Sequence, residues 1–66
     1  MRLSVNGQNR ESPELINILE LLETLELNPE RVVVELNRDI LTADRYADTR
    51  LRDGDTLELI QFVGGG

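Results

Sequence analysis

Residues 51–66 read LRDGDTLELIQFVGGG, and this stretch decides which folds the chain can adopt. The triplet Asp-Gly-Asp at 53–55 is typical of a tight turn. The alternation of apolar and polar residues that follows predicts a final strand over residues 56–63. Leu57 and Leu59 share one face of this strand, which should be the face that packs on the core.

The same alternation places Ile60 and Phe62 on the opposite face of the last strand, with Gln61 on the core side. Two large apolar side chains that point away from a core usually mark a partner-binding site. A β-bulge could instead reset the register and bury Phe62, and the sequence leaves this alternative open. Val63 then leads into three glycines.

A β-hairpin is predicted at the start of the chain. Met1, Leu3 and Val5 alternate with polar residues, which is the period of a strand. Asn6-Gly7 follows, and this dipeptide is the strongest short-range hairpin signal because both turn positions tolerate positive φ. The returning strand at 8–11 is polar, so we expect an edge strand.

One amphipathic helix is predicted next. Ser12, Pro13 and Glu14 suit its N-terminus as a cap, a first-turn proline and an acid at the positive end of the dipole. The apolar residues at helical spacing are Leu15, Ile18, Leu19, Leu22 and Leu25, with Ile16 and Leu21 on the flanks. Glu26 would place a carboxylate on this stripe, so the helix should end near Leu25, before Asn28-Pro29.

The middle of the chain adds a strong strand and two small elements. RVVVELN at 31–37 is rich in β-branched residues, with Val32, Val34 and Leu36 on one face. A turn at Arg38-Asp39, a very short strand at 40–41 and one helical turn within 42–48 follow.

These elements predict the fold class, because a single amphipathic helix can bury its stripe only against one face of the sheet. The expected fold is α+β, with a small mixed sheet and one main helix packed across it. The domain should span residues 1–63, followed by a flexible C-terminal glycine tail at 64–66.

Composition excludes several classes of function. The 66 residues include 13 acidic and 7 basic ones, all arginine, and neither cysteine nor histidine. The commonest general base, thiolate nucleophiles and cysteine-based metal sites are therefore absent. A net charge of −6 argues against nucleic acid and anionic membranes as partners. No apolar run approaches the length of a membrane span. We expect a cytoplasmic protein that is not an enzyme, binds no metal or cofactor itself and acts with protein partners.

Two other groups of polar residues have structural explanations. Asp53 and Asp55 could form a carboxylate pair for a metal or for acid–base chemistry, but turn formation explains them better. Tyr46 is predicted to cover the small core rather than to act as a functional phenol.

The terminal glycines suggest a chemistry of their own. Glycine has no Cβ, so an extended arm of three, about 10 Å long, could thread a narrow channel on a partner. It would deliver the α-carboxylate of Gly66, which becomes an acyl electrophile only after attack on a nucleotide α-phosphate. A frayed, inert terminus is the competing interpretation.

The strand order, the DGD turn and the Gly-Gly end resemble those of ubiquitin-like β-grasp proteins. VVVELNRDIL (32–41) and LRDGDTLELIQFVGGG (51–66) are similar to the ThiS family of sulfur carriers in thiamine biosynthesis. The resemblance implies that a ThiF-like, E1-like enzyme adenylates Gly66, with ATP and its metal held by that enzyme. It further implies that a cysteine desulfurase persulfide supplies sulfur for a thiocarboxylate, which a ThiG-like thiazole synthase consumes. Gly65 would complete the Gly-Gly motif, with Gly64, Val63, Phe62 and Ile60 as partner-binding positions.

Other functions stay open at this point. A MoaD-like carrier for molybdopterin, or for another sulfur-transfer pathway, would use the same tail. A β-grasp interaction module with an inert tail would bind through Ile60 and Phe62 alone. A protein conjugated to target lysines, as ubiquitin is, would share the tail chemistry with a different acceptor.

Overall fold

The computed structural model describes residues 1–14 and 16–62. In this part of the chain, five strands form one mixed sheet in the order β2-β1-β5-β3-β4. They are β1 (Arg2–Val5), β2 (Gln8–Glu11), β3 (Val32–Leu36), β4 (Asp39–Leu41) and β5 (Thr56–Gln61), and the α-helix is α1 (Ile18–Thr24). The central strand β5 runs parallel to β1 and antiparallel to β3. The predicted α+β class, with a mixed sheet and one main helix, is confirmed.

The N-terminal hairpin matches its prediction residue by residue. Asn6 and Gly7 have φ values of 50° and 80°, as a turn with two left-handed central residues requires. Val5 pairs with Gln8, so the turn is the tightest that can join two strands. Every residue of β2 is exposed, and this strand forms one edge of the sheet.

The predicted helix start at Ser12 to Glu14 is wrong, because α1 begins at Ile18. The side chain of Asn17 caps the helix by accepting a hydrogen bond from the Glu20 N–H at 2.8 Å. Ahead of it the backbone is paired with residues 49–51: Leu51 N–H donates to Ile16 O at 2.9 Å, and Ile18 N–H donates to Thr49 O at 3.0 Å. This extended pairing also buries Ile16, which a helix starting earlier would have placed on a flank.

The predicted end of the helix near Leu25 is confirmed, since Leu25 is the C-cap and Glu26 has a φ of 59°. The helical spacing predicts Leu21 on a flank, and this prediction is wrong because only 2% of the residue is exposed. The helix makes just two turns, so its inward face is short and consists of Ile18, Leu21 and Leu22. Leu15 lies outside the described residues.

The turn between β3 and β4 lies one residue earlier than predicted. Asn37 and Arg38 both have positive φ, at 49° and 76°, and Asp39 already belongs to β4. The short strand itself and a 3-10 turn at Ala43–Arg45 agree with the prediction.

One face of the sheet packs against α1 and forms the core. The strands contribute alternate residues to it, as their sequence pattern requires: Leu3, Val5, Val32, Val34 and Leu57. Ile16, Leu51 and Tyr46 close its margins. No helix among the described residues is long and apolar enough to cross a membrane.

Candidate functional site

Strand β5 and Phe62, which follows it, contain the described residues of the predicted site. Leu57 is fully buried and Leu59 is partly buried, whereas 55% of Ile60 and 58% of Phe62 are exposed. The register of β5 with β3 is continuous from Leu57 to Gln61, so no bulge resets it. The expected exposure of Ile60 and Phe62 is therefore confirmed, and the alternative in which Phe62 is buried is wrong.

The end of β5 lies at the margin of the core. Gln61 is in register with the buried Val32, which places it on the inward face as predicted, yet the residue is exposed. Phe62 continues the ladder beyond the assigned strand, because its N–H donates to Arg31 O at 2.7 Å. Phe62 thus remains in step with Ile60, on the face that points away from α1.

Asn6 holds the second half of β5 in place, a role that the sequence did not reveal. Strand β1 stops pairing with β5 at Leu57. Past that point the Asn6 side chain replaces a strand: Leu59 N–H donates to Asn6 Oδ1 at 2.7 Å, and Asn6 Nδ2 donates to Leu59 O at 3.3 Å. The hairpin signal fully accounts for Asn6-Gly7 in the sequence, so nothing there pointed to this second role.

The Asp-Gly-Asp triplet is confirmed as a turn. Asp53 Oδ1 accepts from the Arg2 N–H at 2.6 Å, and Asp55 Oδ2 accepts from the Arg52 N–H at 2.8 Å. Gly54 has a φ of 90°, which favours glycine. The Asp53 carboxylate therefore ties the turn to β1, whereas the Asp55 carboxylate closes the turn itself. Among the described residues, no group of His, Cys, Asp or Glu could hold a metal ion.

Tyr46 covers the core, as predicted. Only 3% of it is exposed, and its hydroxyl donates to Val32 O at 2.8 Å. The register of β4 with β3 explains this bond, since β4 pairs with residues 34–36 and stops before it reaches Val32. The Tyr46 hydroxyl thus supplies the hydrogen-bond donor that the backbone of a longer β4 would have provided.

The two ends of β5 differ in character. At its start, an open groove is lined by charged and apolar residues of mixed type: Met1, Arg2, Glu11, Glu14, Leu51, Arg52 and Asp53. At its end the surface presents Ile60 and Phe62. Val63, Gly64, Gly65 and Gly66 follow directly in the sequence and lie outside the described residues, so their assigned roles and the predicted boundary at 63/64 stay predictions.

A mixed five-stranded sheet around a parallel β1–β5 pair, with one helix across a single face, defines a ubiquitin-like β-grasp protein. The model of the ThiS family matches residues 3–66. The chain belongs to the ThiS family, whose members are small sulfur carrier proteins.

Individual relatives agree with this assignment. The chain is 35% identical over 65 residues to the sulfur carrier protein ThiS of Bacillus subtilis, covering 97% of this chain and 98% of that one. A crystal structure of the thiamine biosynthesis protein ThiS from Geobacter metallireducens superimposes with a TM-score of 0.86, at 39% identity and full coverage of both chains. A thiazole synthase of Paramagnetospirillum magneticum is 36% identical over 66 residues, and the chain spans 20% of its length.

Proposed function

We propose that this chain carries sulfur for thiazole formation in thiamine biosynthesis, with Gly66 as the carrier group. The observation that supports the proposal most is the geometry of β5. The strand leaves the core beside exposed Ile60 and Phe62, and Gly66 is only four positions after Phe62 in the sequence. An extended segment of that length reaches roughly 13–14 Å, which is enough to enter a partner's active site while the folded domain docks outside.

The chemistry proceeds in three steps. A carboxylate oxygen of Gly66 attacks the α-phosphate of ATP on a ThiF-like adenylating enzyme, and pyrophosphate leaves. The terminal sulfur of a persulfide, generated by a cysteine desulfurase, attacks the acyl adenylate, and AMP leaves. A thiol then reduces the resulting acyl disulfide, which releases the thiocarboxylate and a new disulfide.

The final acceptor in this proposal is a ThiG-like thiazole synthase, which takes the sulfur from the thiocarboxylate. The similarity of the whole chain to one fifth of a thiazole synthase supports that partner. The ThiS family match also favours thiazole formation over the molybdopterin alternative. ATP and its metal belong to the adenylating enzyme, and the reactions take place in the cytoplasm.

Ile60 and Phe62 provide the docking contacts, and Val63 and Gly64 lie at the mouth of the partner's channel. Gly65 and Gly66 enter it because a side chain at either position would widen the arm. An interaction module with an inert tail would use the same apolar residues. The two functions therefore differ in whether the terminus is needed.

Mass spectrometry of the intact protein tests the proposal. The chain is incubated with ATP, cysteine, a cysteine desulfurase and the adenylating enzyme of the same organism. We expect a mass increase equal to the replacement of one oxygen by sulfur. A matched variant that lacks Gly65 and Gly66 should keep the melting temperature of the full chain and gain no sulfur. If neither adenylate nor thiocarboxylate forms on the full chain, the proposal is wrong. Sulfur transfer that persists in the truncated variant would favour a site elsewhere.

A further inference from the structure

The face of the sheet that points away from α1 combines acidic and apolar side chains in one patch. The strand registers define its members. Glu35 is directly opposite Glu58 on β5 and Ile40 on β4, and Val33 is directly opposite Ile60. Because paired residues share a face, these five side chains form one surface, called the open face below. The residues between them, Val34 and Leu59, point towards the core.

The open face concentrates the exposed apolar surface of the described residues. Ile40, Ile60 and Phe62 are the large hydrophobic residues exposed there, at 71%, 55% and 58%. Ile40 and Ile60 belong to the open face by register, and Phe62 extends it along the direction of β5. Contiguous apolar surface of this kind marks a protein interaction site.

Two carboxylates border this apolar surface, with the polar Thr56 on their other side along β5. Directly opposite residues of an antiparallel pair have Cβ atoms about 4.5–5.5 Å apart, and like charges at that distance destabilise the sheet. Within the described residues neither Glu35 nor Glu58 forms an ion pair. The ion pair in this part of the chain joins Arg2 of β1 to Glu11 of β2, at 3.5 Å. The open-face positions next to the acidic pair are Val33, Ile40, Ile60 and Thr56, none of which is basic. Arg31, opposite Phe62, is the basic residue further along this face, and it has an interaction of its own.

A partner that covers this surface must compensate the two carboxylates. Burying a carboxylate against apolar groups is very costly unless a cation accompanies it. A guanidinium or ammonium group between two carboxylates makes strong charge-assisted hydrogen bonds, and its stem can pack on the flanking aliphatic side chains. The complementary surface therefore carries one basic side chain beside an apolar patch.

We propose that the open face docks on the thiazole synthase, and that an arginine or lysine of the synthase inserts between Glu35 and Glu58. The inference rests on the proposed function, which names the synthase as sulfur acceptor. Continuity along β5 supports this docking mode, because the open face adjoins the strand end from which the chain continues to Gly66. A synthase that binds this face receives the terminus at the same time.

The proposal predicts opposite effects on the free chain and on the complex. Removing one charge of the pair relieves repulsion in the free chain, whereas in the complex it removes a contact to the inserted cation. An acidic pair that is merely solvated would give the first effect without the second. The variants are Glu35→Gln and Glu58→Gln. The matched control is Glu23→Gln, which removes one charge from the exposed surface of α1 on the other side of the sheet.

Binding to the purified thiazole synthase of the same organism is measured by isothermal titration calorimetry, at low and moderate salt. Each open-face variant should raise the Kd by at least about tenfold, and Glu23→Gln should leave it within about twofold. The melting temperature of Glu35→Gln and Glu58→Gln should equal or exceed that of the unaltered chain, which excludes loss of folding as the cause.

Several results would overturn the inference. The first two are an unchanged Kd for the synthase in both open-face variants, and an equal rise of that Kd in Glu23→Gln. The others are failure of the unaltered chain to bind the synthase, and open-face variants that lose affinity for the adenylating enzyme alone. The mass measurement separates this inference from the proposed function. If the thiocarboxylate forms and Glu35→Gln and Glu58→Gln bind normally, only the docking mode is wrong. If no thiocarboxylate forms, the carrier function is wrong, whatever the binding experiment shows.

Discussion

Replacing Asn6 by glycine should release the second half of β5 from the N-terminal hairpin. Glycine keeps the positive φ of 50° at this turn position but removes both side-chain hydrogen bonds to Leu59. A typical hydrogen bond contributes about 0.5–1.5 kcal/mol net. Both bonds are at exposed positions and one is 3.3 Å long, so we expect a loss of about 1–1.5 kcal/mol. For a domain of this size, that lowers the melting temperature by about 5–10 °C.

Amide hydrogen exchange followed by NMR resolves the local effect. Leu59 N–H bonds to Asn6, whereas the neighbouring residue Ile60 is in register with Val33 on the other side of β5. Exchange at Leu59 should accelerate at least about tenfold more than exchange at Ile60, since a factor of ten corresponds to about 1.4 kcal/mol. The isosteric Asn6→Asp is the control, because a carboxylate accepts from Leu59 N–H but cannot donate to its carbonyl. When this aspartate is ionised, exchange at Leu59 should be faster than in the unaltered chain and slower than in Asn6→Gly.

Equal acceleration at Leu59 and Ile60 would refute this reasoning. It would mean that Asn6 acts through global stability alone and that β5 needs no support past the end of β1. A change in melting temperature below about 1 °C would also mean that β5 needs no support from Asn6, because the loss of two hydrogen bonds of normal strength lowers the melting temperature by more than that.

Two further variants test the burial assignments at the margins of the core. Tyr46→Phe keeps the ring but leaves the buried Val32 carbonyl without its 2.8 Å donor, so urea denaturation should show a loss of about 1–3 kcal/mol; a loss below about 0.5 kcal/mol would mean that water replaces the phenol. Phe62→Ala should change the free energy of unfolding by less than about 1 kcal/mol, because 58% of Phe62 is exposed, and should weaken binding to the adenylating enzyme. A loss of several kcal/mol would contradict the exposed position of the ring.

Local sequence patterns predicted several elements at residue resolution. The turn at Asn6-Gly7 follows from backbone sterics, since few residue types tolerate the two positive φ values that the structure shows there. The alternation in β5 assigned Ile60 and Phe62 to the open face because successive residues of a strand point to opposite faces. Each of these features depends on residues that are neighbours in sequence, so a local pattern is enough to predict it.

The start of the helix shows where local patterns fail. Ser12, Pro13 and Glu14 form a plausible N-terminus, yet the helix starts at Ile18. Residues 16–18 instead pair with residues 49–51, more than thirty positions away in the chain. The burial of Ile16 and the two backbone hydrogen bonds stabilise this pairing more than an earlier helix start would stabilise the segment. Intrinsic helix propensities contribute little free energy over so few residues.

The sequence by itself determined the element order, the α+β class and the exposed apolar end of the last strand, because turn chemistry and periodicity act over a few residues. The tertiary structure alone decided which distant residues share hydrogen bonds and a surface. Asn6 supports β5, Tyr46 completes the pairing of Val32, and Glu35 faces Glu58 only because strands remote in sequence are adjacent in the sheet. Register between strands that are remote in sequence depends on how the whole core packs, whereas a turn motif fixes register only in the hairpin that it closes.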